Sequence, residues 1–373
     1  MDKTRYAVIG SGHGGKAVAA DLSAKGYPVT LYNRSPERIS EIVIRGELEL
    51  EMEDGQMRSC PLELVTSDIR EALENADVIM VVVPAWGHRN IAHLCSDHLR
   101  DGQVIVLNPG CTGGALEFRQ ILNQRKCAAD LTVAETAAFV FTSRSTGPAQ
   151  VRIYRTKNAV PLAAMPARHT ARALAVVGKA FPQFIPVPNV FYTSLDNMGS
   201  NLNPALTLLN AGWIESTKGD FEFYVDGVTP SVARIVEALD RERVTVASAL
   251  GVRARTGLSW LREAYSAEGE NLYQAIQANP GYQGIRAPRN LHHRFILEDV
   301  PYGLVPLSSL GAQFGVETWA TNAMIQLACA VHGVNYFERG RTTTQMGLQG
   351  MHAGQVSQYV ESGRPGPVID PRD

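Results

Sequence analysis

The stretch Tyr6-Ala7-Val8-Ile9-Gly10-Ser11-Gly12-His13-Gly14-Gly15 sets four apolar residues directly ahead of a Gly-x-Gly-x-x-Gly run. A short, unbroken apolar run suits a strand buried on both faces. Val18 and Leu22, one helical turn apart, continue a helical pattern that ends at Gly26. Glycines alone say little; a strand, a glycine turn and a helix in that order are the fingerprint of a dinucleotide site. Gly10 permits the tight turn, Gly12 lets the backbone approach a pyrophosphate, and Gly15 lets helix and strand pack closely, with the helix N-terminus facing the phosphates. Gly10, Ser11, Gly12, His13, Gly14 and Gly15 are thus the first candidate cofactor contacts.

Working outward, Pro28-Val29-Thr30-Leu31-Tyr32 reads as a second strand, and Ala76–Val83, Gly102–Leu107 and Leu131–Ala134 as further ones. Strands alternating with helical stretches predict an α/β, Rossmann-type, doubly wound sheet. Its ligands should lie beyond the carboxyl ends of the strands, which adds Val83-Pro84-Ala85 and Asn108-Pro109-Gly110 to the cofactor candidates. The second strand ends in Asn33-Arg34-Ser35, without the carboxylate that bonds a ribose 2′-hydroxyl in NAD-binding versions. Arg34 can pair with a 2′-phosphate and Asn33 and Ser35 can add hydrogen bonds, so NADPH is expected over NADH.

Strand-like runs become scarce past residue 190, and Leu202–Glu215, Ser231–Leu250 and Thr318–Val331 read as long amphipathic helices. The expected organisation is a dinucleotide-binding domain over residues 1–187 and a mainly α-helical substrate and dimerisation domain over 188–373, with the proline-rich Phe181–Pro188 as linker. Gly363-Arg364-Pro365-Gly366-Pro367 reads as a loose tail.

Composition narrows the function. At roughly 150 residues per domain, 373 residues predict two or three domains. Thirty-five basic against 37 acidic side chains leave no electrostatic footprint for nucleic acid or an anionic membrane. The longest apolar run, Val78 to Trp86, is about half a membrane span, and the N-terminal residues show no signal-peptide pattern. Five cysteines without ligand spacing argue against a disulfide framework or zinc finger and suit a reducing cytoplasm. His88, His93 and His98 turn about 140° per step on a helix and do not share a face, so no metal site is expected. His292 and His293 are adjacent, and Glu298-Asp299 follow an apolar run as a candidate proton-handling pair.

Beyond the glycine loop, the sequence resembles the octopine/nopaline (opine) dehydrogenase family, bacterial type, over nearly its whole length. The resemblance rests on Val82-Val83-Pro84-Ala85, on Leu107–Phe118, on Thr207-Leu208-Leu209-Asn210-Ala211, on Gly227-Val228-Thr229-Pro230-Ser231-Val232, and on Glu298-Asp299-Val300-Pro301-Tyr302-Gly303-Leu304-Val305-Pro306. It implies reductive condensation of an amine or amino acid with a 2-oxo acid, hydride passing to the imine carbon, in a homodimer. It also implies that Arg294 clamps a carboxylate and that Asp299 is the acid that orients a catalytic histidine. That histidine, which precedes a proline in the family, is replaced here by Asn203 in Asn201-Leu202-Asn203-Pro204.

An asparagine amide donates and accepts hydrogen bonds but exchanges no proton near neutral pH. Asp299, His292 or His293 has then taken over the proton, or the substrate arrives as a preformed imine, or the asparagine is an introduced change. Two other readings stay open: a reductase of a plain 2-oxo acid or preformed imine on the same architecture, and a nucleotide-binding protein with lost catalysis.

Overall fold

Short apolar segments build the strands and small residues build the helix that joins the first two. In the computed structural model, which describes residues 3–364, the strands among those residues are β1 (Tyr6–Ile9), β2 (Val29–Tyr32), β3 (Glu47–Glu51), β4 (Met57–Pro61), β5 (Leu64–Thr66), β6 (Val78–Val81), β7 (Val104–Leu107), β8 (Thr132–Thr136), β9 (Phe141–Ser145), β10 (Gln150–Thr156), β11 (Val160–Met165) and β12 (Phe184–Pro186). The larger sheet runs β12-β11-β8-β7-β6-β1-β2-β5. Its pairs are parallel except where β11 meets β8. Strands β1, β6 and β7 are buried at every position, as a doubly covered parallel sheet requires. The strand order reverses between β1 and β6, which is where such sheets hold ligands.

A second sheet, of order β4-β3-β10-β9, lies outside the sequence expectation. Its signal was present in Glu47-Leu48-Glu49-Leu50-Glu51, whose alternation places Leu48 and Leu50 inside and the glutamates at the surface. The helix His13–Ala24 packs against both sheets. Residues Gly15 to Leu22 are therefore buried without interruption, which its run of alanines and glycine accommodates. The expected linker is also corrected: Phe184–Pro186 forms the edge strand β12, a position where proline is tolerated because no inner ladder bond is lost.

The chain divides into two compact units, residues 3–193 with 358–364, and residues 194–357. Most of the expected C-terminal tail lies outside the described residues, as do Met1 and Asp2. The second unit is helical, with its own core drawn from the helices Gly199–Leu209, Pro230–Ala249, Val305–Phe314 and Trp319–His332. Thr229 caps the longest of these, its side chain accepting from Val232 N at 3.4 Å, with Pro230 in the first turn. The expected helix Leu202–Glu215 is two, broken at Asn210, whose amide donates to the carbonyls of Leu206 and Gly227. No described helix is long and apolar enough to cross a membrane.

Candidate active site

The first unit's site is a cavity of about 420 Å³ at the carboxyl ends of β1, β2 and β6. Gly10, at φ +114°, sits where a Cβ would lie 2.3 Å from the Val82 carbonyl, and a Cβ on Gly15 would lie 1.7 Å from the Gly10 carbonyl. Glycine is forced at both positions by the close crossing of β1, β6 and the helix. A Cβ on Gly12 would meet no protein atom within 4 Å: the space beside it is open at the start of the helix His13–Ala24. That is the cradle a pyrophosphate needs.

Gly10, Ser11, Gly12, Asn33, Arg34, Ser35, Val83 and Pro84 all line the cavity. Asn33 shapes its edge, its amide donating to Ser11 Oγ and its Oδ1 accepting from Ser35 N at 3.0 Å. His13, Gly14, Gly15 and Ala85 are not among the residues that line it. His13 Nδ1 accepts from Ser145 N at 2.9 Å, and burial together with Arg144 and Lys16 lowers its basicity. Gly14 faces Phe139. Asn108, Pro109 and Gly110 do not line the cavity. Asn108 is buried beyond β7; its Oδ1 accepts from Thr136 Oγ1 at 3.1 Å, while its Nδ2 has no partner among the described residues. Arg38, Trp86 and Asn90 also line the cavity and were missed. Arg38 stands one helical turn beyond Arg34, and Trp86 two residues past a strand-end proline, signals too weak to read alone.

The second unit assembles a polar site from three segments. Asn203 projects from the helix Gly199–Leu209, Tyr224 from the connection ahead of the long helix, and Asp299 from the junction between the short helix Arg294–Leu297 and the π-helical turn Val300–Leu304. Asn203 Nδ2 donates to Asp299 Oδ2 at 3.1 Å, and the Tyr224 hydroxyl donates to Asn203 Oδ1 at 3.1 Å. Burial is the main force on Asp299: it pushes the carboxyl up to about 7, and Glu298 adds to it, against the opposing pull of Arg294 and the Asn203 bond. The Tyr224 hydroxyl is raised as well, first by burial and then by Asp299, so it stays a donor.

Arg294 is mostly exposed and meets Glu298 at 3.0 Å. The sequence candidates Asn203, Asp299 and Arg294 thus come together. His292 does not join them: its ring stacks on His332 at 4.8 Å, and His332 in turn holds Tyr336 and the Leu291 carbonyl. His293 caps the helix Arg294–Leu297 through a 3.4 Å bond from Phe295 N. Tyr224 is a further polar member of the site, bonded to Asn203. Among the described residues no group of three or more His, Cys, Asp or Glu is placed to hold a metal ion.

Comparison with known proteins decides the family. An opine dehydrogenase of Arthrobacter sp. (strain 1C) is 40% identical over 361 residues, covering 97% of this chain and 100% of that protein. The chain belongs to the opine dehydrogenase family. Residues 186–332 match the family described as NAD/NADP octopine/nopaline dehydrogenase, alpha-helical domain, and residues 5–124 match NAD-dependent glycerol-3-phosphate dehydrogenase N-terminus. An octopine dehydrogenase structure with NADH and L-arginine has the same fold, with TM-score 0.82 at 19% identity over 99% of this chain and 100% of that one. Yersinopine dehydrogenase bound to NADP+ follows at TM-score 0.75 and 14% identity, over 96% and 98%. As an opine dehydrogenase family member the chain is an oxidoreductase of the nicotinamide-dinucleotide type, and the open cradle at Gly12 fits that group.

Proposed function

We propose that this chain is an NADPH-dependent opine-type dehydrogenase, joining an amine or amino acid to a 2-oxo acid through an imine, with Asp299 as the proton-handling residue. The observation that carries this reading is the buried Asp299 carboxyl, held by Asn203 and pushed up to about 7, where an acid can give and recover a proton at working pH. The amine nitrogen adds to the ketone carbon, and Asp299 in its acid form protonates the departing oxygen as water. Arg294 pairs with a substrate carboxylate from its exposed position. Asn203 exchanges no proton; it fixes the carboxyl by donating to Oδ2. When bound, the reduced nicotinamide supplies hydride for the C=N bond. NADPH rather than NADH is supported by Arg34 and Arg38 on a cavity whose lining holds no carboxylate.

A second reading, reduction of a preformed imine, is favoured by Asn203 itself, since that reaction needs no dehydration step. The two separate in NADPH oxidation with pyruvate, glyoxylate or 2-oxoglutarate, each with and without amino acids and simple amines, at rising enzyme concentration with products weighed by mass spectrometry: a reductase of preformed imine levels off at the uncatalysed rate of imine formation, whereas a condensing enzyme does not. Amine-dependent oxidation with the mass of the condensation product is expected. Equal oxidation without amine, giving the 2-hydroxy acid, would overturn the proposal.

A further inference from the structure

Asn203 stands between a donor and an acceptor, and which end of its amide faces which decides where Asp299 can hold a proton. As placed, the NH₂ group faces Asp299 Oδ2 and the carbonyl faces the Tyr224 hydroxyl. Turned over, the amide would set its carbonyl against the carboxyl, two acceptors facing one another unless Asp299 donated a proton to it. The transferable proton would then be tied up inside the protein.

The Tyr224 ring is fixed independently of its hydroxyl. It stacks on Tyr282 at 4.2 Å and meets Phe223 edge-on at 5.0 Å. Phe223 stacks in turn on Phe295, in the helix that leads to Asp299. This aromatic brace ties the phenol to the segment bearing the carboxyl and aims its O–H at Asn203.

We propose that Tyr224 is a positioning residue: by donating to Asn203 Oδ1 it holds the amide with its NH₂ on Asp299 Oδ2, leaving Oδ1 as the oxygen that carries the exchangeable proton. The inference rests on the role given to Asp299 above. The charged and titratable groups that act on Asp299 are Glu298 and Arg294 beside it, with Asn203 as its hydrogen-bond partner; Tyr224 is acted on by Asp299, Tyr265 and Arg294. None of them replaces the donor that Tyr224 gives to Asn203.

Tyr224→Phe keeps the ring stack and removes the hydroxyl alone. Its kcat should fall about tenfold, the order of one lost hydrogen bond. The pH at which kcat falls on the basic side should move upward by about half a unit, because a freed amide favours the protonated carboxyl. NADPH affinity, read by fluorescence titration, should stay as in the parent. In an Asn203→Ala background the same substitution should change neither kcat nor the midpoint further. A purely structural tyrosine would lower kcat without moving the midpoint, and its effect would add to that of Asn203→Ala; either result overturns the inference. If Tyr224→Phe leaves the midpoint unmoved while Asp299→Asn abolishes turnover, only the positioning role fails. Parental turnover in Asp299→Asn would overturn both.

Discussion

The cavity at the sheet switch point and the polar site of the helical unit are made of different material. The first is built from backbone and from absent side chains: Gly10 and Gly15 let β1, β6 and the first helix cross, and Gly12 leaves open space. The second is built from single side-chain atoms on segments far apart in sequence, Tyr224 lying 21 residues and Asp299 lying 96 residues from Asn203. A backbone site depends on shape and fails when volume is added. A side-chain site depends on protonation and on which atom faces which, and fails when a single group is exchanged. The glycine loop is accordingly readable as a local pattern, whereas the helical site is defined by which polar atoms meet, Asn203 with Asp299 and Tyr224.

In the dinucleotide cavity the largest expected effects come from adding volume to the loop. Gly15→Ala brings a methyl to 1.7 Å from the Gly10 carbonyl, so the loop must be rebuilt. Misplacement of that size costs on the order of 10²-fold, here in NADPH affinity by fluorescence titration, together with a lower melting temperature. Gly12→Ala should leave melting unchanged, since its Cβ meets no protein atom, yet weaken NADPH through the phosphates. Equal melting losses in both variants would erase the distinction between a packing glycine and a ligand-facing one.

Removing one guanidinium has a smaller and more selective effect. Arg34→Ala should raise the NADPH Michaelis constant about tenfold or more, the worth of one charge-assisted bond, while NADH kinetics stay within about twofold of the parent. A parallel loss with both cofactors would remove Arg34 from cofactor selection.

The helical site also has an effect on stability. Folded Asp299 keeps its proton up to about pH 7, whereas the unfolded carboxyl releases it near the ordinary value of 3.8. The folded state therefore binds more protons in that window, and stability falls as pH rises through it. The penalty is complete above the folded value, so Asp299→Asn should be the more stable protein at pH 8, by up to about 4 kcal/mol in urea unfolding, with the difference vanishing below pH 4.

The parts of the fold written in local order were legible in the sequence. Tyr6–Gly15, the apolar runs that became β6 and β7, and the helix after Thr229-Pro230 each declare themselves within a few residues. The second sheet was not read, because its strands β4 and β9 carry polar residues such as Arg58, Ser59, Thr142 and Arg144 and find their partners only through the fold. β12 was hidden by Pro186 within it and by Pro182 and Pro188 on either side. In the cavity, Asn33, Arg34 and Ser35 were found by counting from the strand end, but Arg38, Trp86 and Asn90 came to line it through folding. In the helical unit, Asn203 and Arg294 were found only through family resemblance, whereas Glu298-Asp299 was already marked by the apolar run ahead of it. Nothing in the spacing of Tyr224 distinguishes a phenol bonded to Asn203 from the neighbouring core aromatics. His292 had the right chemistry but is engaged with His332.

The most direct measurement is amine-dependent NADPH oxidation by Asp299→Asn near pH 7, beside a fluorescence titration of NADPH binding in the same preparation. Loss of general acid assistance should lower turnover by about 10²–10⁴-fold while NADPH binds as in the parent. Turnover within about threefold of the parent, with the same condensation product, would contradict a proton-handling role for the buried carboxyl that asparagine, with no proton to exchange, cannot fill.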